Sequence, residues 1–252
     1  MNAAPTFDPA HYQAAKQKVI AGIKALHPDW AKTEGFLMDG VFCTEVYAQQ
    51  RLRVLVILSE SYGYAESGDK YDYVQQAIDN DIIGLREPQV KTPRRIAALL
   101  WLLLYSLDAG APIDYDAWDW QLQVNSKTTA ELQATLSRIA WINVKKVSRA
   151  EGTAQDHDEI FDSVEKYRSL LQIQLDSIAP HLILVCGNPV FWALQSSQLL
   201  SKDPMEAEKW TVQTNHLGQK FMWVTHPSYS RDWGYEAIYE TFKILWASLA
   251  SA

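Results

Sequence analysis

Leu52-Arg-Val-Leu-Val-Ile-Leu58 followed at once by Ser59-Glu-Ser-Tyr-Gly63 is the stretch on which the reading of the chain turns. Seven residues of mainly aliphatic, β-branched character suit a strand buried on both faces, as in a parallel sheet. The polar and aromatic residues that follow, 59–73, read as a loop. Moving outward, the same pattern recurs three times. Ile139–Val144 (IAWINV) is a buried run ending in Lys145 and Lys146, with Arg149 close behind. Leu182–Cys186 (LILVC) runs into Gly187-Asn188-Pro189, and Phe221–Thr225 (FMWVT) runs into His226-Pro227-Ser228. Before, between and after these runs lie helical patterns at 9–27, from Thr92-Pro93 through Ile96–Leu107, at 129–138, 156–178, about 190–199 and about 235–249. Thr92 suits the cap and Pro93 the first helical position. Gly110–Asn125 reads as an irregular surface stretch.

Apolar strands alternating with helices predict a three-layer α/β/α fold around a mostly parallel, four-stranded sheet. Ligands of such sheets bind outside the carboxyl ends of the strands. The four polar segments all fall at those ends, so they are expected to converge on one edge. We expect one domain over residues 1–252, with a helical N-terminal extension over about 1–48. There is no internal repeat and no low-complexity linker.

Composition narrows the function classes. Apolar residues make up 48% and charged residues 21%, an ordinary globular profile. Cys43 and Cys186 are the whole thiol inventory, with no CxxC or Cys/His cluster, so no zinc site or iron–sulfur cluster is expected. The first residues, Met1–Asp8, show no basic region leading into an apolar stretch, so no secretory signal is expected. Ile96–Leu104, the longest apolar run, is about half of what spans a bilayer and reads as a buried helix. A cytoplasmic location is the default expectation. The net charge of −7 argues against broad, nonspecific nucleic-acid binding but is compatible with a local basic patch at a cleft.

The four strand-end segments together resemble the motifs of the uracil-DNA glycosylase superfamily, in family order, over about residues 50–250. Ser59-Glu60-Ser61-Tyr62-Gly63 looks like the first motif, commonly Gly-Glu-Ala-Pro-Gly, with Ser for the first Gly and Tyr for Pro. Asn143, in Ile142-Asn143-Val144-Lys145-Lys146, is similar to the Asn that reads the base in several branches. Residues 178–194 resemble the strand, glycine and helix segment, and Thr225-His226-Pro227-Ser228 resembles the closing His-Pro-Ser loop. Some branches carry a catalytic Asp or Asn where this chain has Ser61, and serine cannot serve as a carboxylate base.

The resemblance implies base flipping into a pocket and hydrolysis of an N-glycosidic bond in single- or double-stranded DNA, with no metal or organic cofactor. It places His226 as donor to the base carbonyl, where negative charge develops on the leaving group. Asn143 offers a donor and an acceptor on one planar amide, a match for the imide edge of a uracil-like base. Glu60 is the first candidate to orient the attacking water, with Asp69 behind it. Ser61, Tyr62 and Gly63 would line the base, and Tyr62, Tyr64 and Tyr71 are candidates to stack on it. Lys145, Lys146, Ser228 and Arg231 would hold DNA phosphates.

Plainer readings stand beside these. Glu60 can simply cap a helix, Asn143 can satisfy a strand end, and the two lysines can form a solvated basic face. Trp101, Trp141, Trp192, Trp223 and Trp246 lie in apolar runs and read as core, whereas Trp118, Trp120 and Trp233 fall in expected loops, available to bases or a partner. The alternative function is a non-catalytic module of the same fold that binds a modified base, a nucleotide or a protein partner.

Overall fold

A computed structural model of the protein describes residues 6–27, 37–59, 71–72, 91–114, 128–146, 157–202, 208–227 and 233–250. Its centre is the set of four expected strands: β3 (Val54–Leu58), β5 (Ala140–Asn143), β6 (Leu182–Cys186) and β8 (Lys220–Val224). They are parallel and adjacent in the order β5-β3-β6-β8. Every residue of β3, β5 and β6 is buried, which is why these runs are apolar throughout rather than alternating.

The sheet is wider than four strands. Two short strands close its edges antiparallel: β2 (Gly40–Val41) on β5, and β7 (Val212–Thr214) on β8. The expected four-stranded sheet is therefore the parallel core of a mixed six-stranded one. Both edge strands are too short to show an alternating pattern, and β2 begins at a glycine, a residue depleted from strands. A further pair, β1 (Leu37–Met38) with β4 (Tyr71–Asp72), is parallel and separate from the main sheet. Residues 71–72, expected to be loop, are thus paired strand.

Helices cover both faces. On one side α3 (Lys91–Ala109) packs on α4 (Thr128–Ser137) and α7 (Tyr235–Ala250). Leu99, Leu103, Ile238 and Phe242 from this layer meet Val54, Val56, Trp141, Leu184 and Met222 from the sheet. On the other side α5 (His157–Ile178) packs between α1 (Pro9–Leu26) and α6 (Asn188–Ser196). Here Val19, Ile23, Val164, Leu171 and Phe191 meet Leu55, Ile57, Ile142 and Val185. Odd and even strand residues thus serve separate cores, as a period of two requires. The small helix α2 (Thr44–Ala48) buries Tyr47. No helix of the described residues is long and apolar enough to cross a membrane.

Local sequence explains the N-terminal segment. Asp8 caps α1 by accepting from the backbone N–H of Ala10 (2.9 Å) and His11 (3.3 Å), with Pro9 in the first turn. Tyr12, Ala15, Val19 and Ile23 then form one buried stripe. Tyr12 also reaches the sheet, where its hydroxyl accepts the Val41 N–H at 2.8 Å. The segment expected as a helical extension therefore contributes an edge strand and pins it.

Gly40 is required at this pin. Its φ is +146°, and a Cβ there would stand 2.2 Å from the Tyr12 hydroxyl oxygen. Gly40→Ala must displace Tyr12 or the strand. It is expected to cost about 1–3 kcal/mol of stability, read as a lower midpoint in urea unfolding at unchanged slope.

Candidate functional site

The strand order points to a candidate site before any side chain is considered. From β3 the chain crosses to β5 on one side, then returns to β6 on the other side of β3. The switch point of this doubly wound sheet lies between β3 and β6, and ligands of such sheets bind in the crevice outside those carboxyl ends. Ser59 leaves β3 here and Gly187 leaves β6. Asn143, at the end of β5, is in register with Leu58, and the Val144 N–H donates to Leu58 O at 2.9 Å. His226 follows β8, and an ideal Cβ built on Gly187 would lie 3.6 Å from the His226 Cβ. Asn143 and His226 therefore flank the crevice, three strand spacings or about 14 Å apart along the edge. Of the other expected site residues, Glu60, Ser61, Tyr62, Gly63, Ser228 and Arg231 lie outside the described residues, as do Asp69, Trp118 and Trp120.

Asn143 is 1% exposed, and its side-chain Nδ2 has no hydrogen-bond partner. A buried amide donor left unpaired costs about 1–3 kcal/mol, so a native fold carries few of them. The Thr225 Oγ1, one residue before His226, is also buried without a partner, but two residues beyond Trp223 it belongs by alternation to the α1/α5 side. A buried, unpaired amide donor at the end of β5 is what a polar ligand in the crevice would satisfy.

The backbone around His226 is clamped. The Trp233 indole N–H donates to Thr225 O at 2.9 Å, and the Arg95 guanidinium of α3 donates to Pro227 O. Trp233, expected in a loop and available to a base or partner, is instead buried and holds this turn. Trp192 departs in the other direction. Expected in the core, it is 44% exposed and packs edge-on against Trp223.

Burial pushes the His226 pKa down to about 4, so at neutral pH the ring is uncharged. Unfolded, the imidazole takes its proton near 6.5. Between those values the unfolded state binds more protons, so stability falls as pH drops from about 6.5 towards 4. His181, driven to about 4 by burial and by the Arg53 charge, acts in the same sense. Melting temperature is expected to decline over that window. His226→Gln should flatten part of the slope, up to about 3 kcal/mol at its acid end.

The two lysines after β5 part company. The Lys145 N–H donates to Ser59 O at 2.8 Å, tying β5 to the end of β3. Its ammonium pairs with Glu159 at 2.9 Å beside a cavity of about 250 Å³ also lined by His27, Asp162, Lys166 and Tyr167. That cavity lies on the α1/α5 side, whereas Asn143, two residues beyond Trp141, belongs by alternation to the α3/α7 side. Lys146 corrects the sequence reading: its side chain is 0% exposed, and its ammonium sits 2.9 and 3.1 Å from the two carboxylate oxygens of Asp39. A lysine buried against its own counter-ion cannot reach a DNA phosphate. The partner is 107 residues away in sequence, so nothing local to Lys145-Lys146 shows which lysine turns inward.

Asp39 is the residue that sequence reasoning missed. It also accepts the Asn143 backbone N–H at 2.5 Å and the Gln174 side-chain N–H at 2.9 Å. A signal existed: a lone acid between apolar neighbours in Phe36-Leu-Met-Asp-Gly-Val-Phe42. Buried charges of that kind are paired or hydrogen-bonded.

Compared with known proteins, the chain matches no protein-family model and no curated protein.

Proposed function

We propose that the chain is a DNA glycosylase of the uracil-DNA glycosylase type, hydrolysing the bond between deoxyribose and uracil or another damaged or modified base. The observation that carries this reading is the buried, unpaired Asn143 amide on one side of the switch-point crevice, with a neutral, clamped His226 on the other. A duplex base would be flipped into the crevice. The Asn143 Nδ2–H would donate to an acceptor on the base edge. As the glycosidic bond breaks, its electron pair moves onto the base and positive charge grows on the sugar. A neutral His226 N–H aimed at the base carbonyl stabilises that anion. Water supplies the new C1′–O bond. Glu60 is the proposed group to orient that water and take its proton, and Ser61, Tyr62 and Gly63 complete the pocket. Ser228 and Arg231 hold phosphates in this reading. In this reading water is the second substrate, no cofactor is needed, and the proposed location is the cytoplasm.

The reading is tested by base release from single- and double-stranded oligonucleotides carrying uracil, hypoxanthine, xanthine or hydroxymethylated pyrimidines, scored by alkaline cleavage at the abasic site. Release of at least one base that vanishes in His226→Ala supports it. No release from any substrate overturns it for those bases.

One observation favours a second reading, a non-catalytic module that binds a modified base. Lys146 is taken by Asp39 and Lys145 by Glu159, so two of the expected phosphate contacts are already engaged, in a chain of net charge −7. Turnover abolished by Glu60→Gln would rule this module out.

A further inference from the structure

The geometry points to Asp39 as a positioning residue for Asn143, an inference that rests on the proposed role of Asn143 in reading the base. Along β5, the Val144 N–H donates to β3, whereas the preceding N–H, that of Asn143, faces the opposite edge. There β2 has run out, since its pairing with β5 ends at Gly40 opposite Trp141. The Asp39 carboxylate takes the place of the missing strand and accepts the Asn143 N–H through Oδ2 at 2.5 Å.

The carboxylate is itself held from two directions. Lys146, beyond β5, donates to both oxygens, and Gln174 of α5 donates to Oδ1 at 2.9 Å, while two residues along its own chain the Val41 N–H is pinned to the Tyr12 hydroxyl. Two donors independent of Asn143, Lys146 and Gln174, thus hold both oxygens in place. The group is only 4% exposed, so water does not compete for it. A charged acceptor on a backbone N–H is shorter and stronger than a neutral one. The last residue of β5 is thus held rigidly at the point where its side chain must present an unpaired amide to the crevice. Charged groups buried away from any ligand are weak contributors to stability, and their best-attested use is to specify a position.

The test uses two double variants. Asp39→Leu with Lys146→Met removes both charges together, so no uncompensated ion is left, and removes the acceptor. Asp39→Asn with Lys146→Met restores a carbonyl acceptor for the Asn143 N–H. Its new amide N–H can be taken by the Gln174 Oε1, which has no partner in the native fold. Two quantities are read. One is hydrogen exchange of the Asn143 backbone amide against that of Val144. The other is kcat and KM for the panel oligonucleotide that the wild-type protein cleaves. The leucine variant should exchange at Asn143 tenfold faster or more and lose roughly 10- to 100-fold in kcat, the scale of a misplacement near 1 Å, with KM little changed. The asparagine variant should recover most of both.

Unchanged exchange at Asn143 in the folded leucine variant overturns the proposed link. Faster exchange with wild-type kcat overturns the positioning role. Should the leucine variant not fold, Asp39→Glu supplies the same readout, because it keeps the charge balance but displaces the acceptor by a methylene. Wild-type exchange and kcat there overturn the proposal equally. If Asn143→Ala itself releases base at the wild-type rate, the functional reading has failed and a positioning role in base release falls with it. In that case exchange at Asn143 still reports the bond to Asp39.

Discussion

Asn143→Leu is expected to lower base release by about 10²- to 10³-fold while leaving the protein as stable as before or more so. The two halves of this expectation have one cause. The Asn143 Nδ2 is buried without a partner, and an unpaired buried donor costs the fold about 1–3 kcal/mol. Replacing the amide with an apolar group of similar shape removes that cost. The transition state loses a preorganised donor, and removing one such donor typically costs about 2.7–4 kcal/mol of barrier. A structural asparagine would behave in the opposite way, losing stability and leaving the rate alone. Thermal unfolding and single-turnover base release on the same preparation separate the two. A melting temperature that falls by many degrees with an unchanged rate would remove Asn143 from the site. His226→Ala should match the rate loss but not the gain in stability, because the neutral ring at Gly187 fills space that alanine leaves empty.

The parallel core was legible because its runs are long, β-branched and apolar at every position, which only a sheet covered on both faces demands. Leu182–Cys186 has the observed ends of β6, and the helix expected over 156–178 differs from α5 by one residue. Gly40–Val41 and Val212–Thr214 were not legible, because two or three residues carry no periodicity and their pairing is set by what lies beside them. The candidate site divides in the same way. Asn143 and His226 could be singled out because one ends a recognisable strand and the other lies just after one. Asp39, Gln174, Arg95 and Trp233 act through contacts across 104, 135, 132 and 8 positions respectively, three of them long-range, and a linear pattern does not record such pairs. Lys145 and Lys146 show the limit most plainly. They are adjacent and chemically identical, yet one pairs with a half-exposed Glu159 and the other is buried against Asp39.

That buried pair is where a single substitution should cost the fold most. Lys146→Met alone should destabilise it by roughly 3–5 kcal/mol, because it leaves the Asp39 carboxylate buried without a counter-charge. For a chain of this size each kcal/mol shifts the midpoint by about 2–4 °C, so a fall on the order of 10 °C or more is expected in a thermal melt. The loss is not the net worth of the ion pair. Burial works against the Lys146 charge and pulls its pKa below the usual lysine range, while Asp39 opposes that shift, so a large desolvation cost already offsets the attraction. Adding Asp39→Leu to Lys146→Met should therefore return most of the lost stability, since two apolar side chains of similar volume carry no such cost. The Gln174 amide and the Asn143 N–H, both now lacking an acceptor, keep the recovery incomplete. A double variant as unstable as Lys146→Met alone would mean that the pair holds the fold together in its own right. Recovery of stability without recovery of base release would instead separate the two roles, with the charge pair dispensable for folding and the Asp39 acceptor needed to hold the end of β5 for chemistry.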